Sequence, residues 1–103
     1  MLVNLVWQPQ ALADIREIYV RIGLEQPLAA ERFFDAFERK ASLLIEQPRL
    51  GVRRSEIRPS VRMLVEAPFL MLYETIPDTD DGPIETVQIV RVIDGRRDLR
   101  TLY

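Results

Sequence analysis

After the short apolar stretch at 2–7, the spacing of the apolar residues changes once, near Pro48, and that change limits the fold more than any other feature. Before it, apolar side chains recur every third or fourth residue, which is one face of a helix. After it they alternate, which is one face of a strand. "PQALADIREIYVRIG" (9–23) puts Leu12, Ile15, Ile18, Tyr19 and Ile22 on one stripe. Pro9 opens this helix, because its missing N–H would have no partner in a first turn, and Gly23 marks the stop. A second helix is predicted over 27–46, with Ala30, Phe33, Phe37, Ala41 and Leu44 in one stripe that Phe34 and Ile45 widen. Pro48 ends it, since the residue before a proline avoids helical geometry. With only "LEQP" (24–27) between them, the two helices should form an antiparallel hairpin.

Strands are predicted at 2–7 ("LVNLVW"), 61–67, 69–76 and 84–93, with 49–60 as loop and the turn-rich "PDTDDGP" (77–83) before the last strand. The order is β-α-α-β-β-β. This implies an α+β fold: a helical hairpin packed on a small, mostly antiparallel sheet, in one domain spanning 1–103. No apolar run approaches the roughly 20 residues that span a bilayer, and "MLVNLVWQPQ" lacks the basic start of a secretory leader, so a cytoplasmic location is expected.

Cysteine and histidine are both absent. That removes disulfides, thiolate nucleophiles, serine–histidine triads and most zinc sites. "DTDDG" (78–82) begins like a calcium loop, but the spacing fails and Ile89 stands where a bidentate glutamate belongs, so it reads as a solvated turn. No metal or cofactor is expected.

The remaining chemistry is arginine. Lys40 is the one lysine among 14 basic residues. Arginine is the residue whose planar fork suits carboxylates and phosphates. The chain has a net charge of −2, yet "PRLGVRRSEIRPSVR" (48–62) holds five arginines and one acid. Residues 63–90 hold six acids and no base, and 91–103 are basic again. Arg91, in "IVRVI", is too costly to bury unpaired. It should leave the sheet's open face or meet a carboxylate such as Glu74, with Arg62 nearby if the register allows. Tyr73 should pack through its ring and seek a partner for its hydroxyl. Phe33 and Phe37 read as core, and Phe34 sits at the stripe's edge, available to a partner.

In order along the chain, "ALADIREIYVRIG", "LIEQPRLGVRR", "VRMLVEAPFLMLYETI" and "VQIVRVIDGRRDLRTLY" resemble the corresponding stretches of ParE toxins of the RelE/ParE toxin–antitoxin superfamily. The resemblance covers nearly the whole length. Asp94 occupies the position that is often histidine in the superfamily's "rVlHgrRd" stretch. The resemblance implies a toxin of a type II system that poisons DNA gyrase. It also implies neutralisation by a ParD-like antitoxin with a ribbon-helix-helix domain and an acidic C-terminal segment, and no direct DNA binding by the toxin alone. On that reading Arg53, Arg54, Arg58, Arg62, Arg96 and Arg97 form a docking rim for partner carboxylates beside an apolar groove, and Phe34 contributes apolar contact. Two alternatives are a ribosome-dependent messenger-RNA endoribonuclease and a non-toxic homologue that only binds antitoxin. The nuclease would use Arg62, Arg91 or Arg97 to stabilise the transition state, and Tyr73 or Tyr103 to move protons.

Overall fold

A computed structural model describes residues 2–97; Arg100 and Tyr103 lie outside the described residues. The elements run β1 (Asn4–Trp7), α1 (Pro9–Gly23), α2 (Pro27–Glu46), β2 (Val52–Arg53), β3 (Arg62–Glu66), β4 (Phe69–Ile76) and β5 (Thr86–Asp94). Both helices start on a proline, as their sequences predict. Gly23 closes α1 without a left-handed turn: among the described residues only Gly82 has positive φ, and the Leu24, Glu25 and Gln26 N–H groups donate back to Val20 and Ile22.

The five strands form one sheet in the order β1-β5-β4-β3-β2. The meander β3-β4-β5 is antiparallel, and β1 closes one edge by pairing parallel to β5, Asn4 with Thr86 through Trp7 with Ile89. β2, inside the stretch expected to be loop, is a two-residue edge pairing Val52 with Met63 and Arg53 with Arg62. It is too short for side-chain alternation to reveal it.

The hairpin covers one face of the sheet. Ala11, Ile15 and Ile18 of α1 and Phe37, Ala41 and Leu44 of α2 pack on Met71, Tyr73, Val87, Ile89 and Val92. Phe33, Phe37 and Phe69 add edge-to-face contacts with centroids 5.2 and 5.8 Å apart, close to the preferred geometry of aromatic pairs. The other face is not open: Ile57, from the loop before β3, packs over Val61, Leu72 and Ile93.

A bulge interrupts β5. Leu72 pairs with Arg91 but Tyr73 pairs with Ile89, which leaves Val90 as the extra residue. The bulge resets the alternation, so Val87 and Ile89 before it and Val92 after it all reach the helix-side core. The pairing of β1 ends at Ile89, apart from one continuing bond from the Gln8 N–H to the Ile89 carbonyl. Beyond that point α1 takes over the strand edge: Asp14, buried among apolar neighbours, accepts the Val92 N–H at 3.0 Å. A bare edge donor is thereby satisfied by a side chain instead of a strand.

Candidate functional site

Three of the five arginines of 48–62, Arg53, Arg54 and Arg62, pair with the chain's own acids. Arg53 donates to Asp80 at 2.9 Å and pairs with Asp78 at 3.0 Å; Arg62 meets the same Asp80 oxygen at 3.1 Å and the Gly51 carbonyl at 3.2 Å. Arg49 donates to the carbonyls of Thr79 at 2.9 Å and Gly82 at 2.8 Å. Three arginines thus clamp the turn between β4 and β5. The side-chain hydrogen bond from Arg53, then its positive charge, hold the Asp80 carboxyl below its usual range. The "DTDDG" turn is exposed, as expected, and two of its acids, Asp78 and Asp80, also serve as counter-charges to Arg53 and Arg62. Arg54 pairs with Glu56 and lies against the Met63 sulfur, and Arg58 follows in the adjoining turn.

Arg96 and Arg97 do not join this group. Arg62 pairs with Tyr73, and Tyr73 with Ile89, whereas both arginines lie beyond Asp94. The two groups are therefore roughly 15 Å apart along the sheet, at about 3.4 Å per residue. The six arginines expected to form a single rim lie in two groups, with Arg53, Arg54, Arg58 and Arg62 at one end of the meander and Arg96 and Arg97 beyond the other.

Asp94 grips Arg96, accepting from its Nε at 2.9 Å and its backbone N–H at 2.9 Å. The Arg96 side chain, then its backbone N–H, pull the Asp94 carboxyl down to about 2. A depressed carboxylate stabilises the fold above its ordinary pKa, and that contribution fades as pH falls towards 2. It is small here, because Arg96 is exposed. In an NMR titration the Asp94 carboxyl should have its midpoint near 2, and Arg96→Gln should return it towards the usual carboxylate range.

Tyr73 is fully buried. Its hydroxyl donates to the Pro48 carbonyl at 2.9 Å and accepts the Gly51 N–H at 2.8 Å, and burial pushes its pKa above the usual phenol range. Arg91 turns to Asp14, not Glu74, with Nε 2.7 Å and Nη2 3.2 Å from the two carboxylate oxygens; Glu74 instead accepts from Ser60. Arg62 lies opposite Tyr73, not Arg91. Arg62, Tyr73 and Arg91 are each held by internal partners: Arg62 and Tyr73 meet at Gly51, and Arg91 lies apart from them on Asp14.

Phe34 leads to a different site. Leu12, Ile15, Arg16 and Tyr19 line one wall from α1; Glu31, Phe34 and Glu38 line the other from α2; Trp7 comes from the end of β1. Together they bound an open, mostly apolar groove of about 440 Å³. The spacing explains it: 12, 15, 16 and 19 share one α1 face, and 31, 34 and 38 share one α2 face. Tyr19 meets Phe34 edge to face at 6.0 Å and donates to the Glu31 carboxylate. Past that link a second groove continues at the hairpin tip, beside Val20, Leu24 and Leu28, which are 56, 82 and 72% exposed. Of the exposed apolar surface, this stretch along the hairpin is the candidate contact site.

The family model described as "ParE toxin of type II toxin-antitoxin system, parDE" matches residues 5–99. The chain belongs to the ParE toxin family. Among solved structures, one chain of a "Chromosomal ParDE TA system from P. aeruginosa" is 24% identical, with a TM-score of 0.70, covering 89% of this chain and 95% of that one. Among curated proteins none matches. As a ParE-family toxin, the chain places its apolar groove on the helical hairpin and spends much of its conspicuous arginine internally.

Of the sequence-predicted site residues, Phe34 lies in the groove. Trp7, Leu12, Arg16, Tyr19 and Glu38 were not singled out as site residues. Two of them carried a signal: Leu12 and Tyr19 extend the α1 stripe beyond what one packed face can bury, and they remain 40 and 38% exposed.

Proposed function

We propose that this ParE-family toxin inhibits DNA gyrase by binding it, and that a ParD-type antitoxin silences it by laying an apolar segment in the groove beside Phe34. That antitoxin would join a ribbon-helix-helix domain to an acidic C-terminal segment. The acids of the segment would have to extend beyond the groove to reach the exposed Arg97 or the arginines of 53–58, which adjoin β2 at the opposite edge of the sheet from Trp7. The observation that carries the choice over RNA cleavage is the internal commitment of three of the candidate catalytic groups, which leaves the exposed Arg97 without a neighbouring candidate proton-transfer group among the described residues. Arg62 is tied to Asp80 and Gly51, Arg91 to Asp14, and the Tyr73 hydroxyl to Pro48 and Gly51. A proton-transfer group must reach a substrate atom within about 3 Å or through one water, and the buried Tyr73 offers no such path.

Purified gyrase tests this. Supercoiling of relaxed plasmid should fall as the chain is added and recover on adding the antitoxin encoded beside it, while messenger RNA on ribosomes stays intact. Unimpaired supercoiling together with cleaved messenger RNA would reverse the reading.

A further inference from the structure

The groove is apolar along its floor but carries opposite charges on its two walls. Arg16 lies one turn from Tyr19 on α1, away from the hairpin loop, and Glu38 lies two turns from Glu31 on α2 in the same direction. Both side chains are exposed, and neither has an ion-pair partner among the described residues. They do not pair with each other, although both line the same opening. Arg32, Arg39 and Arg97 are also exposed without an ion pair among the described residues, but none of them lines this groove; Arg16 and Glu38 are the unpaired charges that do.

We propose that Arg16 and Glu38 determine which antitoxin this groove accepts, and in which direction its segment lies. The inference rests on the antitoxin reading given above. A segment that fills the space between Trp7, Leu12 and Phe34 removes water from both charged walls. A charge stripped of water without a counter-charge is costly, and a like charge set against it costs more. The bound segment therefore presents an apolar side chain to Trp7 and Phe34, a lysine or arginine to Glu38 and a carboxylate to Arg16. An antitoxin of uniformly acidic binding segment is rejected at Glu38, and one lying in reverse sets like against like at both walls. Specificity of this kind comes from repulsion of the wrong partner as much as from attraction of the right one. The basic residue is the unexpected part, since a segment otherwise rich in acids must carry a cation at one defined place.

Affinity measurements on the full chain with the antitoxin encoded beside it test the assignment. Glu38→Lys and Arg16→Glu should each weaken binding by about 10- to 100-fold, less than a fully desolvated like-charge pair would cost, because both side chains keep some contact with water. Their melting temperatures should match that of the unsubstituted chain, because both side chains are exposed. Affinity of Glu38→Lys should return when one lysine or arginine of the antitoxin segment is changed to glutamate, found by changing each in turn. Weakening of less than about twofold in both variants, beside tight binding of the unsubstituted chain, overturns the assignment; so does a loss that no antitoxin change repairs. No complex at all with the unsubstituted chain removes the antitoxin reading itself, and the inference with it. A chain that self-associates, and is made monomeric by Glu38→Lys, assigns the groove to a second copy instead and likewise overturns the proposal.

Discussion

Asp14→Ala should cost about 3 kcal/mol of folding stability, at the lower end of what breaking a buried ion pair costs. Asp14 is 7% exposed, on the buried face of α1 beside Ala11, Ile15 and Ile18. Its carboxylate takes two bonds from Arg91, one from the Val92 N–H and one from the Gln10 side chain. The alanine variant leaves the Val92 donor facing a strand edge that β1 does not reach, and takes from Arg91 the carboxylate it folds against. Arg91 is part-exposed, so water recovers some of the loss, which is why the lower end is expected. Asp14→Asn keeps an oxygen for Val92 but loses the charge, and should fall between the two. Urea titrations read this directly: the midpoint should drop with little change in slope. A shift below about 0.5 kcal/mol for Asp14→Ala would mean that the contact is incidental.

The second large effect is expected at Gly51. A Cβ there would sit 2.6 Å from Cε1 and 2.8 Å from the hydroxyl of Tyr73, and 2.8 Å from the Met63 carbonyl. None of these can yield cheaply. Tyr73 is fully buried and held at its hydroxyl, and the carbonyl belongs to β3 where it pairs with β2. Overpacking costs about 1–3 kcal/mol and occasionally more, and Gly51→Ala should lie at the top of that range. The site couples three features of the fold: the Gly51 N–H accepted by Tyr73, the Gly51 carbonyl taken by Arg62, and through Arg62 the clamped 77–83 turn. Tyr73→Phe alone removes a buried hydroxyl from two partners and should cost about 1–3 kcal/mol. Because the clash is with the ring, Gly51→Ala combined with Tyr73→Leu should lose less than the sum of the two single changes. Strict additivity would contradict the contact.

The helices were legible because their signals are local. A proline at each start, a three-to-four period and a proline beyond the second end need no knowledge of the rest of the chain. The meander was legible for the same reason. What the pattern could not carry was anything set by meeting across the fold. The parallel pairing of β1 with β5 joins residues some 80 positions apart, as with Asn4 and Thr86. The Val90 bulge shifts a strand whose β-branched residues suit either face. Asp14 did leave a trace, since an acid between Ala11 and Ile18 on the inward stripe needs a buried cation, yet nothing local points to Arg91. The arginines show the limit most clearly. Their clustering was visible, but not their partners: Arg53 and Arg62 meet Asp78 and Asp80 of the 77–83 turn, Arg54 meets Glu56 and Arg96 meets Asp94.

Occupation of the hairpin groove by the antitoxin is the claim on which the functional account turns, and Trp7 reports on it. It is the one tryptophan in the chain, and it lines the groove. Titration with an antitoxin lacking tryptophan should move Trp7 emission to shorter wavelength as water leaves the groove, saturating at the stoichiometry of the complex. A complex that forms, as judged by size-exclusion chromatography, while Trp7 emission stays unchanged would place the partner elsewhere on the molecule.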